Sequence, residues 1–379
     1  MKRRLAVLAL ILVIGVDVFA AFASRELYRP YRGYSERLIL EVQPGTGAPA
    51  LSEMLVERGV LAQRLPFLVR YALGRLRRQR FKAGEYLFDR PLRPIDVYWK
   101  LVRGEIYLHP VVVPEGSDRF DMARIYQQAL GIAPEDFLRA TAETGLVRDL
   151  DPQAQTLEGY LFPDTYRFAR GTTAARAVAA MVERFRQVYR SQLRRDPDRE
   201  HETLHDLVIL ASLVEKETPS PAERPVVAQV FSKRLEKGWL LGCDPTVVYA
   251  QRLNGRMLER PSPPITVSEL RFDSPYNTYL RKGLPPGPIA SPGLASLEAA
   301  LEPARTDYLY FVSNNQGGHN FARTLAEHER NVARYRREVT ELRRVGASQK
   351  DSAESWTAKQ NRPTPRNTKR SANRAQRKE

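Results

Sequence analysis

One cysteine, Cys243, stands in 379 residues. A lone thiol closes no intrachain disulfide, and a Cys-rich metal site is excluded. The compartment stays open, because an exported protein can do without disulfides. Zinc-ligand spacing, a phosphate loop and any recognisable nucleic-acid motif are also missing. The net charge is +16, a balance that suits polyanionic partners. With no binding motif beside it, that charge fits an anionic surface (lipid headgroups or an acidic polymer) better than nucleic acid. Basic residues concentrate from Gly346 onward and recur between Arg70 and Arg80.

What the chain does have begins with a membrane signal. A basic end, residues 1–4, precedes an apolar run from Leu5 to Ala23, interrupted by Asp17. Its length approaches the roughly 17–25 residues of a spanning helix. The basic end should stay cytoplasmic, which places the body outside. Ala21-Phe22-Ala23 also fits a small-x-small cleavage site, so a removed signal peptide competes. A run longer than the usual signal core of about 7–15 residues favours a retained anchor.

A polar stalk is expected over 24–37, then a β-α-α-β module over 38–105. Leu38–Val42 reads as a strand, Ala50–Arg58 and Pro66–Leu73 as helices ending at Gly59 and Gly74, and Phe81–Phe88 as a strand. Pro94–Val102 gives a further helix before Gly104. Val113-Pro114-Glu115-Gly116 echoes Val42-Gln43-Pro44-Gly45, a weak internal repeat of strand, turn and helix.

The stretch around which the rest is organised is Leu204–Thr218. It is apolar on nearly every face, which assigns it to a core. Thr203 can cap its start, and Pro219 and Pro221 stop it. Glu215 and Glu217 lie in the last turn. Leu207, Val208 and Ala211 share the face of Glu215. Burial and the negative end of the helix dipole both disfavour a charged carboxylate there, a means of keeping a general acid protonated. A frayed end with both glutamates in water explains the same pattern, and Lys216 could offset part of the effect.

Three irregular stretches accompany it. Leu157-Glu158-Gly159-Tyr160-Leu161-Phe162-Pro163-Asp164-Thr165-Tyr166 is a poor helix and a poor central strand. Tyrosine faces there could cover sugar rings and acids could hold hydroxyls, or the stretch is a tyrosine-rich core turn. Glu158 could also serve as a second acid in a hydrolase. In Cys243-Asp244-Pro245-Thr246, Asp244 reads first as a helix cap. The proline-rich stretch 274–288 must be a loop, in which Asn277 offers a donor and an acceptor to an N-acetyl group or sugar hydroxyl. Tyr308–Val312 reads as a buried strand before Gly317-Gly318-His319-Asn320-Phe321 and a last helix, Thr324 to about Leu342. His319 alone reads as structural.

In this order, these five segments resemble the signatures of the endolytic murein transglycosylases, the MltG/YceG-like family, over roughly Leu38 to Tyr335. The resemblance implies an α+β fold with a single-pass anchor (1–23), a LysM-like module (38–105) and a catalytic domain (106–345), while 346–379, rich in Ser, Asn, Lys and Arg with few apolar residues, reads as a disordered basic tail. It implies a bacterial inner-membrane protein with its catalytic domain in the periplasm, acting on peptidoglycan glycan strands. It implies no cofactor or metal and, at the level of the family, cell-wall synthases as partners; export and the absence of a binding motif oppose nucleic acid. Carried over by motif, Glu215 is the catalytic acid, and Glu158, Tyr160, Asp164, Tyr166, Glu217, Asp244, Asn277 and Tyr279 are substrate-binding candidates. The implied reaction is lytic: it closes a 1,6-anhydro ring on MurNAc. The chain departs from the family pattern at Gly242-Cys243, where Gln-Thr is usual, and at Glu329, where asparagine is usual. A muramidase that admits water and a non-catalytic glycan-binding scaffold are the rival readings.

Overall fold

Helix α1 (Lys2–Tyr28) carries the apolar run with its side chains exposed along most of its length. It is the one helix among the described residues that is long and apolar enough to cross a membrane. The structure, a computed structural model, describes residues 2–193, 203–256 and 265–341. The basic tail expected from 346 lies outside them. The chain divides into two compact units, Met1–Ser212 with Gly287–Leu294, and Leu213–Pro286 with Ala295–Glu379.

In the first unit, β1 (Leu38–Val42) pairs antiparallel with β2 (Gly84–Phe88), Leu40 opposite Tyr86. Between them run α2 (Ala48–Glu57) and α3 (Leu65–Arg75), and α4 (Pro94–Arg103) follows. Leu51, Leu55, Phe67, Tyr86, Phe88, Val97, Tyr98 and Leu101 form one fully buried core. This is the β-α-α-β order read from the pattern, with shifted bounds: α2 starts two residues early, at Ala48, and β2 starts only at Gly84, which pairs with Val42, the last residue of β1. Gly74 does not end α3 but lies inside it, where a Cβ would come within 1.8 Å of the Tyr98 hydroxyl. The helix tolerates glycine there because α4 presses against it.

Over 24–37, where a stalk is expected, α1 runs on to Tyr28. The backbones of Tyr31 and Leu92 exchange hydrogen bonds, and the Tyr34 hydroxyl donates to the Arg90 carbonyl. The segment is fastened to the module.

Next come β3 (His109–Val112), α5 (Arg119–Leu130), α6 (Pro134–Thr141), β4 (Thr165–Phe168) and α7 (Ala174–Val188), the last continued by a π turn over Tyr189–Leu193. β3 pairs antiparallel with β4, Val111 opposite Tyr166. The end of the irregular stretch is therefore an edge strand, because Thr165 and Tyr166 find a ladder partner. Asp118 and Asp121 form a capping box on α5. The echoed turns share a backbone shape, with Gly45 and Gly116 at φ 84° and 70°, each between a strand and a helix.

Helix α8 (Leu204–Glu217) belongs to the first unit through Ser212 and to the second from Leu213. Thr203 accepts from the Asp206 amide, as its capping role requires. The Ser212 hydroxyl accepts from the Ile289 amide at 3.1 Å, which ties 287–294 to the helix. The second unit continues with α9 (Arg224–Glu236), α10 (Asp244–Leu253), α11 (Leu294–Leu301, shared at Leu294), β5 (Tyr310–Ser313), β6 (His319–Ala322) and α12 (325–341). β5 pairs antiparallel with β6. β5 starts two residues later than expected and is half-buried, because this two-strand sheet has one ladder and an open edge. The architecture is α+β, mostly helical, with three two-stranded sheets among the described residues.

Gly159 sits at φ +85°, and a Cβ there would lie within 2.7 Å of Pro288 and Val208. Gly159→Ala should therefore destabilise by about 1–3 kcal/mol through forced repacking, with added backbone strain. Thermal unfolding measures this, and an unchanged midpoint would contradict the packing described.

Candidate active site

Helix α8 brings its last turn to the start of the second unit. Glu215 and Glu217, two residues apart, leave the helix in different directions. The Glu215 side chain is only 5% exposed, and its Oε1 accepts from Nη2 of Arg224 at 3.0 Å. Arg224 opens α9 and its side chain is 7% exposed. The weighing of burial and dipole alone omitted this counter-charge. A buried carboxylate needs such a cation, since an unpaired buried charge is costly. The signal available in the sequence was slight: a Glu-Arg-Pro at the head of the next helix.

Glu217 turns to the start of α10, where the Cys243 thiol donates to its Oε2 at 3.4 Å. Burial raises the Glu217 pKa above the ordinary carboxylate value, against the lowering effects of the Cys243 thiol and His319. Burial and the neighbouring Glu217 charge push the Cys243 thiol well up. The thiol is inert as a nucleophile.

Asp244 does not cap α10. It is the first residue of the helix, Cys243 holds the capping position without a side-chain cap bond, and Oδ1 of Asp244 accepts from the Tyr279 hydroxyl at 2.5 Å. Burial, then the bond to Asp244, push the Tyr279 phenol up. Asn277 is fully buried, and its amide serves its own loop. Nδ2 donates to the Leu270 and Phe272 carbonyls at 3.0 and 2.8 Å, and Oδ1 accepts from the Tyr279 amide at 2.9 Å. Those bonds use both ends of the amide and shape the loop. Thr278 fastens the loop to α10: its hydroxyl accepts from the Cys243 amide and meets the Thr246 hydroxyl.

A second pair escaped the sequence reading. Glu223, beside Arg224, accepts from the His319 amide at 2.9 Å, meets His319 Nδ1 at 2.8 Å and accepts from the Thr218 hydroxyl at 3.1 Å. Burial opposes the charged form, but the bonds from the His319 side chain and backbone outweigh it and hold Glu223 below the usual carboxylate range. His319 joins β6 to the turn between α8 and α9, which agrees with its structural reading.

The other candidates lie in the first unit. Glu158 is 1% exposed and accepts from the Arg119 amide at 3.0 Å. Tyr160 is fully buried and donates to Asp151 at 2.5 Å, an oxygen that also meets His205 at 2.7 Å. Tyr166 donates to the Phe162 carbonyl, and Asp164 pairs with Arg184 at 2.7 Å. Asp164 and Tyr166 keep some surface; Tyr160 holds the core together. Among the described residues, no cluster of His, Cys, Asp and Glu has the form of a metal site.

A model of the YceG-like family matches residues 40–334. The chain belongs to the YceG-like family. It is 30% identical over 332 residues to a Bacillus subtilis protein named endolytic murein transglycosylase, covering 82% of this chain and 89% of that protein. A Streptococcus pneumoniae protein of the same name is 28% identical over 67% of this chain and 50% of its own length. A solved Listeria monocytogenes structure described as yceG-like superposes with a TM-score of 0.52 at 30% identity, over 78% of this chain and 98% of that one.

Two outcomes follow for this YceG-like chain. Arg224→Gln strands a buried carboxylate and should cost about 3–5 kcal/mol, read by denaturant unfolding; a loss under about 1 kcal/mol would contradict the burial of the pair. The lowered Glu223 value gives stability that is present above the ordinary glutamate pKa of 4.5 and is lost as pH falls through the folded value. Acid titration of stability should therefore be shallower in Glu223→Gln than in wild type. Equal slopes would remove the ion pair from the account.

Proposed function

We propose that this protein is an endolytic lytic transglycosylase of peptidoglycan, with Glu215 as its catalytic acid and base and residues 106–345 as its catalytic domain. The observation that carries the reading is the Glu215 carboxyl at the buried end of α8, gripped by Arg224. Family membership supplies the substrate class.

In this reading Glu215 donates its proton to the glycosidic oxygen between MurNAc and GlcNAc, and the bond to MurNAc C1 breaks. The C6 hydroxyl of the same MurNAc attacks C1 and its proton passes to Glu215, which leaves a 1,6-anhydro end and a regenerated acid. One carboxyl suffices, because the nucleophile is intramolecular and already at high effective concentration. The wider spacing of a hydrolytic carboxylate pair is then unnecessary. Arg224 fixes the rotamer of Glu215 and stabilises the carboxylate between the two proton transfers. Glu217, Asp244 and Tyr279, in the unit that holds Glu215, are proposed to contact the glycan, and Asp164 and Tyr166 are proposed separately as glycan contacts of the first unit. Asn277, Tyr160 and Glu158 shape the segments that make these contacts.

The β1-α2-α3-β2 module is proposed to be LysM-like, and α1 to be a retained single-pass anchor that leaves the body outside the plasma membrane. A periplasmic protein acting inside nascent strands would set glycan length near the synthases.

Glu215→Gln should lower the rate of strand cutting by about 10²–10⁴-fold. Because it leaves the buried Arg224 cation without its carboxylate, it should also destabilise by about 3–5 kcal/mol, so the rate is read on protein shown to be folded at the assay temperature. Size analysis of uncrosslinked glycan after digestion measures the rate. Cutting at the wild-type rate would move the acid elsewhere and favour Glu158. No cutting by wild type on any glycan would favour the scaffold reading.

A further inference from the structure

Between Glu57 and Glu85 the chain carries eight Lys or Arg and no acidic residue. Arg75, Arg77, Arg78 and Arg80 follow one another around the end of α3, all exposed, and none of the four makes an ion pair among the described residues. Leu73 and Leu76 lie among them, 57% and 83% exposed. Bare leucines interleaved with unpaired arginines suit the boundary between headgroups and acyl chains, where arginine meets phosphate and leucine meets hydrocarbon.

The fold packs α3, the helix that leads into this turn, against the anchor helix. From Leu5 to Ala23, α1 rises about 27 Å at about 1.5 Å per residue, close to the roughly 30 Å of hydrocarbon it must cross. Ala23 therefore marks the outer boundary. Ala23 is buried, Leu27 packs on the core of the module, and α1 packs directly on α3 and α4. The headgroup layer is only about 5–7 Å deep on each side, and Ala23 to Leu27 spans about 6 Å. Elements that pack there stand in or against that layer.

The turn is also held in shape. Tyr98 donates to Gln79 at 2.6 Å, the Gln79 amide donates to the Gly74 carbonyl, and Arg70 lies 4.2 Å over the Tyr98 ring. Arg78 adopts φ +58°, a left-handed conformation uncommon outside glycine.

We propose that the Leu73–Arg80 turn is a membrane-surface contact that binds anionic lipid headgroups and clamps the small module flat against the bilayer. It rests on α1 being a retained anchor. Charge attraction and shallow leucine insertion together fix the module at the surface. The span and the patch act as two linked attachments, so the weak affinity of the patch operates at high effective concentration.

The test uses the full chain in lipid nanodiscs, with Leu76→Cys carrying an environment-sensitive fluorophore. Cys243 is buried and leaves the new thiol as the accessible one. Headgroup-attached nitroxide lipid should quench the probe severalfold more in phosphatidylglycerol-rich discs than in phosphatidylcholine discs. The difference should shrink as salt rises from about 0.1 M to about 1 M, where screening shortens from about 10 Å to about 3 Å. It should also shrink when Arg75, Arg77, Arg78 and Arg80 are replaced by Gln. A probe open to aqueous iodide and unquenched in both lipids would overturn the proposal. So would protection by a soluble acidic polysaccharide in place of lipid. Intact mass of the protein from the membrane fraction checks the anchor separately: loss of residues 1–23 would sink the anchor reading, and this surface with it.

Discussion

The ion pair between Glu215 and Arg224 is the constraint on which the rest depends. Once Glu215 has given up its proton, the carboxylate it leaves, 5% exposed at the end of an apolar helix, is costly without a cation. That cation must come from an element whose own position is fixed. The turn after α8 supplies it: Thr218, Glu223 and His319 form a bonded set that sets the start of α9, and Arg224 is the next residue. The acid is thus held by backbone geometry rather than by a flexible side chain alone. This is the kind of preorganisation that proton transfer requires.

Within each unit, other buried polar groups are satisfied in the same way. Asn277 closes its own loop, Tyr160 and His205 share Asp151, and Thr278 clips the loop to α10. A buried polar network is worth having only when its members are satisfied. These are aromatic and amide side chains in motif positions, and composition alone would send them to a sugar. Burial sends several of them inward. Cys243 fits this picture: a small, inert thiol filling the space beside Glu217 and donating one weak bond.

The helices and strands were largely legible, because proline starts, glycine stops and hydrophobic period are local properties. β1 falls where its pattern puts it, and α8 ends one residue before the predicted Thr218. Boundaries shifted where a tertiary contact overrode the local signal, as at Gly74, where a tyrosine hydroxyl needs the missing Cβ. Thr165 and Tyr166 became a strand because His109–Val112 offered a ladder. Glu215 was legible as a candidate from burial and helix end. Arg224 and the Glu223–His319 pair were not, since His319 is 96 residues from Glu223 and no spacing rule joins them. The Asp244 side chain looked like a cap because its position in the sequence is that of a cap. A tyrosine from the later loop took its oxygen instead.

The central claim is that the sugar's own hydroxyl, and not water, captures the cleaved MurNAc carbon while Glu215 handles both protons. Digesting uncrosslinked glycan in water enriched in oxygen-18 tests this most directly, with the new ends read by mass spectrometry. The account predicts anhydro ends that carry no heavy oxygen. One heavy oxygen at each new reducing end would mean that water is the nucleophile, and would contradict it.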